Sequence, residues 1–190
     1  GGEKGQDWQP GYFRTSINDA WVIDLEAYYV FHELGITKAA TINDGDAFTR
    51  GLTDAFGQAF TKLGGEIVLD ATINKGEANM HPVLQAVANS GAELLFFPLF
   101  QPEGGFIVLQ AREIAGLQNI TLFCGDALLT NSFIDTVGEA GLRMYFTTQA
   151  APQSPANTEL RSAYASRYGE LPQQLYAQNY DATNLLLCAI

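Results

Sequence analysis

Positive charge is scarce in this chain: 10 Lys and Arg stand against 21 Asp and Glu, a formal charge of −11 over 190 residues. Such an excess repels phosphate backbones and anionic lipid headgroups, so nucleic acid is a poor partner. Cysteine is nearly absent as well. Cys124 and Cys188 are far apart, on a predicted strand and a predicted helix, in no CxxC or Cys/His cluster; both read as small buried hydrophobes rather than as ligands or disulfide partners. The two histidines, His32 and His81, fall on predicted helices away from strand ends, and no His/Cys/Asp/Glu set has metal-ligand spacing, so no metal and no cofactor are expected. Long apolar runs are missing too: the densest, around Leu94-Leu95-Phe96-Phe97, is far shorter than the roughly 20 residues that span a bilayer. GxSxG, GxxxxGK[ST] and GxGxxG do not occur, which removes the nucleophile elbow, the phosphate loop and the dinucleotide turn. With no nucleophile and no placed base, the chain is expected not to be an enzyme.

Hydrophobic residues make up 47% of the sequence, enough at this length for one substantial core. After a polar, Gly-rich lead, Ser16-Ile17-Asn18-Asp19 reads as a capping box opening a helix that Gly35 closes. The lead carries no initiator Met and no basic-then-apolar leader; a removed signal peptide and an excised piece both account for that. From Ile36 a βαβ rhythm sets in. Strands are predicted over Ala39–Asn43, Ile67–Thr72, Leu94–Pro98, Thr121–Cys124 and Met144–Thr148, with helices Ala47–Leu63, Met80–Asn89 and Glu103–Ala115 between them. Glycines at 64, 65, 91 and 116 stand where left-handed helix ends are needed, and Pro82 suits a first helical turn. A strand such as Leu94–Phe97, apolar on both faces, belongs in a parallel sheet covered on both sides. The fold class is therefore α/β, a three-layer, doubly wound parallel sheet. Past a Pro/Gln/Ser-rich stretch over 151–157 come two further helices, Thr158–Tyr168 and one from about Ala177 to Ile190, the last without a cap and so expected to be cut short.

In such sheets ligands sit beyond the carboxyl ends of the strands. Three of those loops carry candidates. After the first strand, Asp44-Gly45-Asp46-Ala47-Phe48 combines a helix N-terminus with a ring able to face a cleft, although Asp44 and Asp46 serve equally as plain helix caps. After the third, Leu99-Phe100-Gln101-Pro102 places an aromatic at a strand exit; alone, such a Phe is more readily core. After the fourth, Gly125-Asp126 offers a carboxylate to an ammonium group or to a helix N-cap.

Tyr12-Phe13-Arg14-Thr15-Ser16-Ile17-Asn18-Asp19-Ala20 resembles the crossing segment of solute-binding proteins of the leucine/isoleucine/valine type. The resemblance continues through Phe48 to Gly51, Gly64-Gly65-Glu66-Ile67, Pro102-Glu103 with Gln110-Ala111-Arg112, and Tyr176-Ala177-Gln178-Asn179-Tyr180-Asp181-Ala182. It implies the second lobe of a two-lobed, type I periplasmic binding protein, with residues 1–11 a linker, 12–175 the lobe and 176–190 a helix returning to a first lobe outside this chain. It also implies an extracytoplasmic component of an ABC importer, periplasmic or extracellular and open to lipid anchoring, whose partners are an amino acid or related small solute and a membrane permease. By position, Phe48 and Phe100 stand where the family has aromatics, often Tyr at the first, and Asp126 where an acid grips the α-ammonium. With their neighbours Asp46, Ala47 and Leu99 these form the expected ligand site, and Phe at both aromatic positions favours an apolar ligand over a sugar. A sensory or regulatory lobe, and less so a small α/β enzyme, remain alternatives.

Overall fold

The computed structural model describes residue 11 and residues 13–151 and 153–190; Tyr12, Pro152 and nearly all of the expected linker lie outside the described residues. Two compact units divide the chain, one of residues 19–148 and one joining residues up to 18 with 149–190.

The larger unit opens with helix α1 (Asp19–Tyr28), which runs into a π-helical turn over Tyr29–Glu33. Strands β1 (Lys38–Asn43), β2 (Glu66–Thr72), β3 (Leu94–Phe96), β4 (Thr121–Cys124) and β5 (Met144–Phe146) alternate with helices α2 (Ala47–Lys62), α3 (His81–Ser90), α4 (Glu103–Ala111) and α5 (Asn131–Val137). All strand pairs are parallel, in the order β2-β1-β3-β4-β5. The strand order reverses at β1: the chain first steps outward to β2, then returns to place β3 on the other side of β1. This is the doubly wound arrangement expected from the sequence, with every strand within two residues of its predicted ends.

Period-two alternation splits the core. Leu94, Phe96, Ala39 and Phe123 face α1 and α2, where they meet Ile23, Ala27, Val30, Phe56 and Phe60. Leu95, Phe97, Ala40, Ile42 and Leu122 face the opposite way, onto Leu84 and Val87 of α3, Ile107 and Val108 of α4 and Phe133 of α5. On the first face the rings are stacked: Phe56 lies 4.3 Å from Phe96 and 5.5 Å from Phe60, centroid to centroid, at interplanar angles of 12° and 13°. Such contacts add about 0.5–1.5 kcal/mol per pair beyond the area they bury.

Polar side chains fix the connections. Glu93 accepts from the backbone N–H groups of Thr37 and Lys38 at 2.9 and 3.0 Å, tying the entry of β1 to that of β3, and these bonds hold its carboxyl below the usual range. Gln110 grips the loop before α3, accepting from Met80 N at 2.7 Å and donating to the Ala78 carbonyl at 2.8 Å. Glu103, nearly buried, accepts from Gly76 N at 2.6 Å in that loop. Arg112 ends α4 earlier than the sequence pattern implied. Its guanidinium donates to the carbonyls of Ala140 and Gln118 at 3.0 Å, Ile120 and Leu142 at 3.3 Å and Leu117 at 3.4 Å, gathering the turns that precede β4 and β5.

In the smaller unit, α6 (Pro155–Tyr168) is capped by Ser154, whose hydroxyl accepts from Asn157 N at 3.2 Å, and α7 spans Tyr176–Cys188. Here one expectation fails: Cys188 is exposed rather than buried, beside Leu185, Leu186 and Leu187, which are exposed as well. The apolar pattern of α7 marks a helix, but no described element covers that face. Cys124, by contrast, is buried as expected.

Two substitutions test this frame. Arg112→Ala is expected to lower the unfolding free energy by about 2–4 kcal/mol in urea melts, with Lys restoring little because one ammonium cannot serve carbonyls on two turns; a loss under about 0.5 kcal/mol would mean that water serves those carbonyls equally well. Gly104 lies where α4 crosses the fully buried Leu128, and an added Cβ would stand 2.5 Å from Leu128 Cδ1. Gly104→Ala should therefore destabilise by about 1–2 kcal/mol despite the better helix propensity of alanine, which the same melts would read.

Candidate functional site

The parallel sheet aligns the carboxyl ends of β1, β3 and β4 side by side, so the loops that follow them are neighbours. The reversal of strand order falls between β1 and β3, which is where open α/β sheets hold their ligands.

The β1 loop is built by its polar side chains. Asn43, buried at the strand end, accepts from Gly45 N at 3.0 Å and from Thr72 Oγ1 at 3.1 Å. Asp44 bonds the Thr49 hydroxyl and accepts from Asp46 N at 3.1 Å, with Lys75 Nζ 4.0 Å away; burial opposes ionisation, but those bonds and that charge hold its carboxyl below the usual range. Asp46 is the N-cap of α2, accepting from Phe48 N at 2.9 Å. Asp46 thus caps the helix, whereas Asp44 braces the loop that leads into it. Gly45 makes the turn at φ +77°, a conformation that a side chain strains. Ala47 and Phe48 then open α2 on the surface.

Phe48 is 47% exposed and Phe100, from the β3 loop, 46%. Their ring centroids lie 6.1 Å apart at an interplanar angle of 36°. The structure therefore brings together the two aromatics that the sequence placed on adjacent strand exits, and Phe100 does not fold back into the core. Two half-exposed rings in contact at a strand-order reversal form an apolar wall open on one side. Leu99 is different. It is fully buried in the core cluster shared with α3 and α4, so it has no surface to offer a ligand; apolar residues at 97 and 99 point inward where the chain leaves β3, and only residue 100 turns out.

Asp126 starts a 3-10 turn over Asp126–Leu128, straight after Gly125 at the exit of β4. The N-cap of that turn is Gly125, so Asp126 is its first residue and not its cap. It is partly buried, and desolvation, helped by the charge of Asp19, pushes its carboxyl above the ordinary range against the pull of a backbone hydrogen bond.

One residue at this edge escaped the sequence reading. Glu26 of α1 is 1% exposed, and one carboxyl oxygen bonds the hydroxyl of Thr147, the first residue past β5. Thr147 N in turn donates to the Cys124 carbonyl at 3.3 Å, continuing the β4–β5 ladder toward Asp126. Burial pushes the Glu26 carboxyl up to about 7, the Thr147 bond pulling down and the Asp126 charge pushing further up. A signal for it existed: Ile23, Glu26, Ala27 and Val30 share one helical stripe, and a carboxylate on an apolar stripe is out of place. Chemically, the site combines an apolar wall with a pole of carboxyl groups. An apolar body bearing a cation is the kind of group such an arrangement can receive.

The chain matches the model of the family described as periplasmic binding protein over residues 1–190. It is 28% identical over 181 residues to the Leu/Ile/Val-binding protein BraC3 of Rhizobium johnstonii, covering 93% of this chain and 48% of that protein. It is 32% identical over 130 residues to an amino acid binding protein of Pseudomonas aeruginosa, covering 67% of this chain and 34% of that one. Among solved structures, the leucine binding protein LivK of Thermotoga maritima superposes with a TM-score of 0.83 at 25% identity, over 93% of this chain and 51% of that chain. The isoleucine complex of LivJ from Streptococcus pneumoniae shares the fold at a TM-score of 0.78 and 23% identity, covering 90% of this chain and 49% of the other. The chain thus spans about half the length of the relatives it matches. On the family match over all 190 residues and on the doubly wound sheet, the chain belongs to the periplasmic binding protein family.

Proposed function

We propose that this chain supplies one lobe, the second, of an extracytoplasmic solute-binding protein that serves an ABC importer and takes an amino acid with an apolar side chain. The observation that carries the reading is the pair of exposed rings, Phe48 and Phe100, at the strand-order reversal, with Asp126 one strand exit further on. The rings give an apolar side chain a wall; Asp126 gives an α-ammonium a carboxylate. Residues 1–11 are then a linker, 12–175 the lobe, and 176–190 the helix returning to a first lobe that contributes the remaining ligand contacts. Asp46 and Ala47 take part through the seat they give Phe48 and not as direct ligands. The protein works outside the cytoplasmic membrane, free or lipid-anchored, hands its solute to a membrane permease, and transforms nothing chemically. The names of its relatives, which bind leucine, isoleucine or valine, support this reading.

A second reading has a specific observation behind it. Both rings at the wall are phenyl groups, which stack an aromatic ligand as well as they pack an aliphatic one. Structures that share the fold bind benzoate and 4-hydroxybenzoate, at 21% and 20% identity and TM-scores of 0.75 in both cases. The carboxyl groups at the other pole favour a ligand that brings a cation there.

Calorimetric titration of the full-length protein with leucine, isoleucine, valine, phenylalanine and benzoate decides between them. Tight binding of at least one apolar amino acid is expected, weakened by about 1.5–3 kcal/mol in Asp126→Asn, the cost of losing a charged hydrogen bond. Amino-acid affinity unchanged in that variant would remove the ammonium contact, and tight benzoate binding alone would replace the amino acid with an aromatic acid. Phe48→Ala and Phe100→Ala should each cost about 1–2 kcal/mol of binding through lost apolar contact, with the fold intact. Asp46→Ala should instead lower the unfolding free energy by about 1 kcal/mol through loss of the α2 cap, without reordering ligand preference.

A further inference from the structure

Glu26 occupies a position where its helix is otherwise apolar. Oε1 is satisfied by Thr147, whereas Oε2 is buried and has no hydrogen-bond partner among the described residues. The carboxyl lies at the carboxyl edge of the sheet, because Thr147 follows β5 and its N–H is bonded to the Cys124 carbonyl, two residues before Asp126. An orphaned buried carboxyl oxygen is costly, and a buried carboxylate without a cation more so.

The charges around it are mostly of one sign. Asp126 acts on Glu26, and Asp19, at the start of the same helix, acts on Asp126; both interactions disfavour a second negative charge. Cys124, from β4, is a buried thiol pushed up by its burial and by Glu26 itself, so it stays neutral. From α2, which packs along α1, the basic groups are Arg50, exposed and 3.9 Å from Asp54, and the exposed Lys62. Tyr29, on the turn that continues α1, and Tyr145 of β5 are in ring contact at 6.0 Å. Beside a half-buried carboxylate a buried acid keeps its proton to higher pH, and a cation brought close favours its release.

We infer that Glu26 is a positioning residue behind Asp126, a second carboxyl whose ionisation is coupled to the arrival of a ligand ammonium and which selects against ligands bringing only a carboxylate to that end. The inference rests on the amino-acid reading of the site. Because burial lifts the Glu26 carboxyl to about 7, the free protein carries it protonated in mildly acidic solution. An ammonium at Asp126 favours the ionised form, so binding expels a proton from Glu26 to solvent. Affinity then rises with pH up to neutrality and levels off above it. A ligand presenting an anion there has the opposite linkage: it takes up a proton and weakens as pH rises.

The experiment is titration of the full-length protein with leucine, isoleucine and benzoate in buffers of different ionisation enthalpy, from about pH 5.5 to about pH 8. The expected result is a several-fold rise in amino-acid affinity over that range, release of a fraction of a proton per ligand near neutrality, and weak benzoate binding with proton uptake. Glu26→Gln, which keeps the shape, should still bind the amino acid but with a flat profile and no proton release. Should that variant fail to fold, the proton count of the native protein and Glu26→Asp, which keeps a titrating group and should keep the release, decide the matter. Amino-acid binding without proton release, or release that survives in Glu26→Gln, overturns the role of Glu26 and leaves the Asp126 contact standing. Amino-acid affinity that survives Asp126→Asn overturns the reading of the site, and this inference with it.

Discussion

All five strands run parallel, and the rest of the molecule follows from that constraint. Parallel strands must be joined by crossovers, so a helix follows each of the first four strands, and both faces of the sheet are covered. The same constraint sends every strand exit to one edge. Loops that are distant in sequence, at 44–48, 99–102 and 125–128, become neighbours without any interaction being specified between them. The two exposed rings meet at the reversal of strand order, between the exits of β1 and β3.

Much of this was legible because it rests on short-range chemistry. Apolar runs at 94–97 and 121–124, flanked by glycine-terminated helices, define strands and their covering from sequence alone, and Phe48 and Phe100 follow once the strand ends are known. Leu99 is buried where Phe100 is exposed: which of the two turns outward is set by how the chain leaves β3, which periodicity does not encode. Cys188 was misjudged because an apolar helix stripe shows which face seeks cover, not whether a described element supplies it. The family-like residues Glu103, Gln110 and Arg112 have their role explained only by coordinates, since each bonds backbone far along the chain. In this chain all three serve as scaffold.

Acidic residues serve two separate purposes here. Asp44, Asp46, Glu93 and Glu103 accept bonds from backbone N–H groups or hydroxyls and so hold loops in place. Glu26 and Asp126 are held above the ordinary carboxyl range by burial and by charge of their own sign. The overall charge of −11 does not distinguish the two sets; only burial and partner identity do.

The bond between Asp46 and the backbone N–H of Phe48 separates two properties that proteins often couple. The cap holds residue 48 by its main chain, so the ring itself is not part of what starts α2. Exchange of that ring for another side chain changes the exposed apolar surface while the helix start stays fixed. Position 48 can therefore exchange its side chain without a compensating change in the turn that carries it, which makes the turn a point of evolvability as much as of structure.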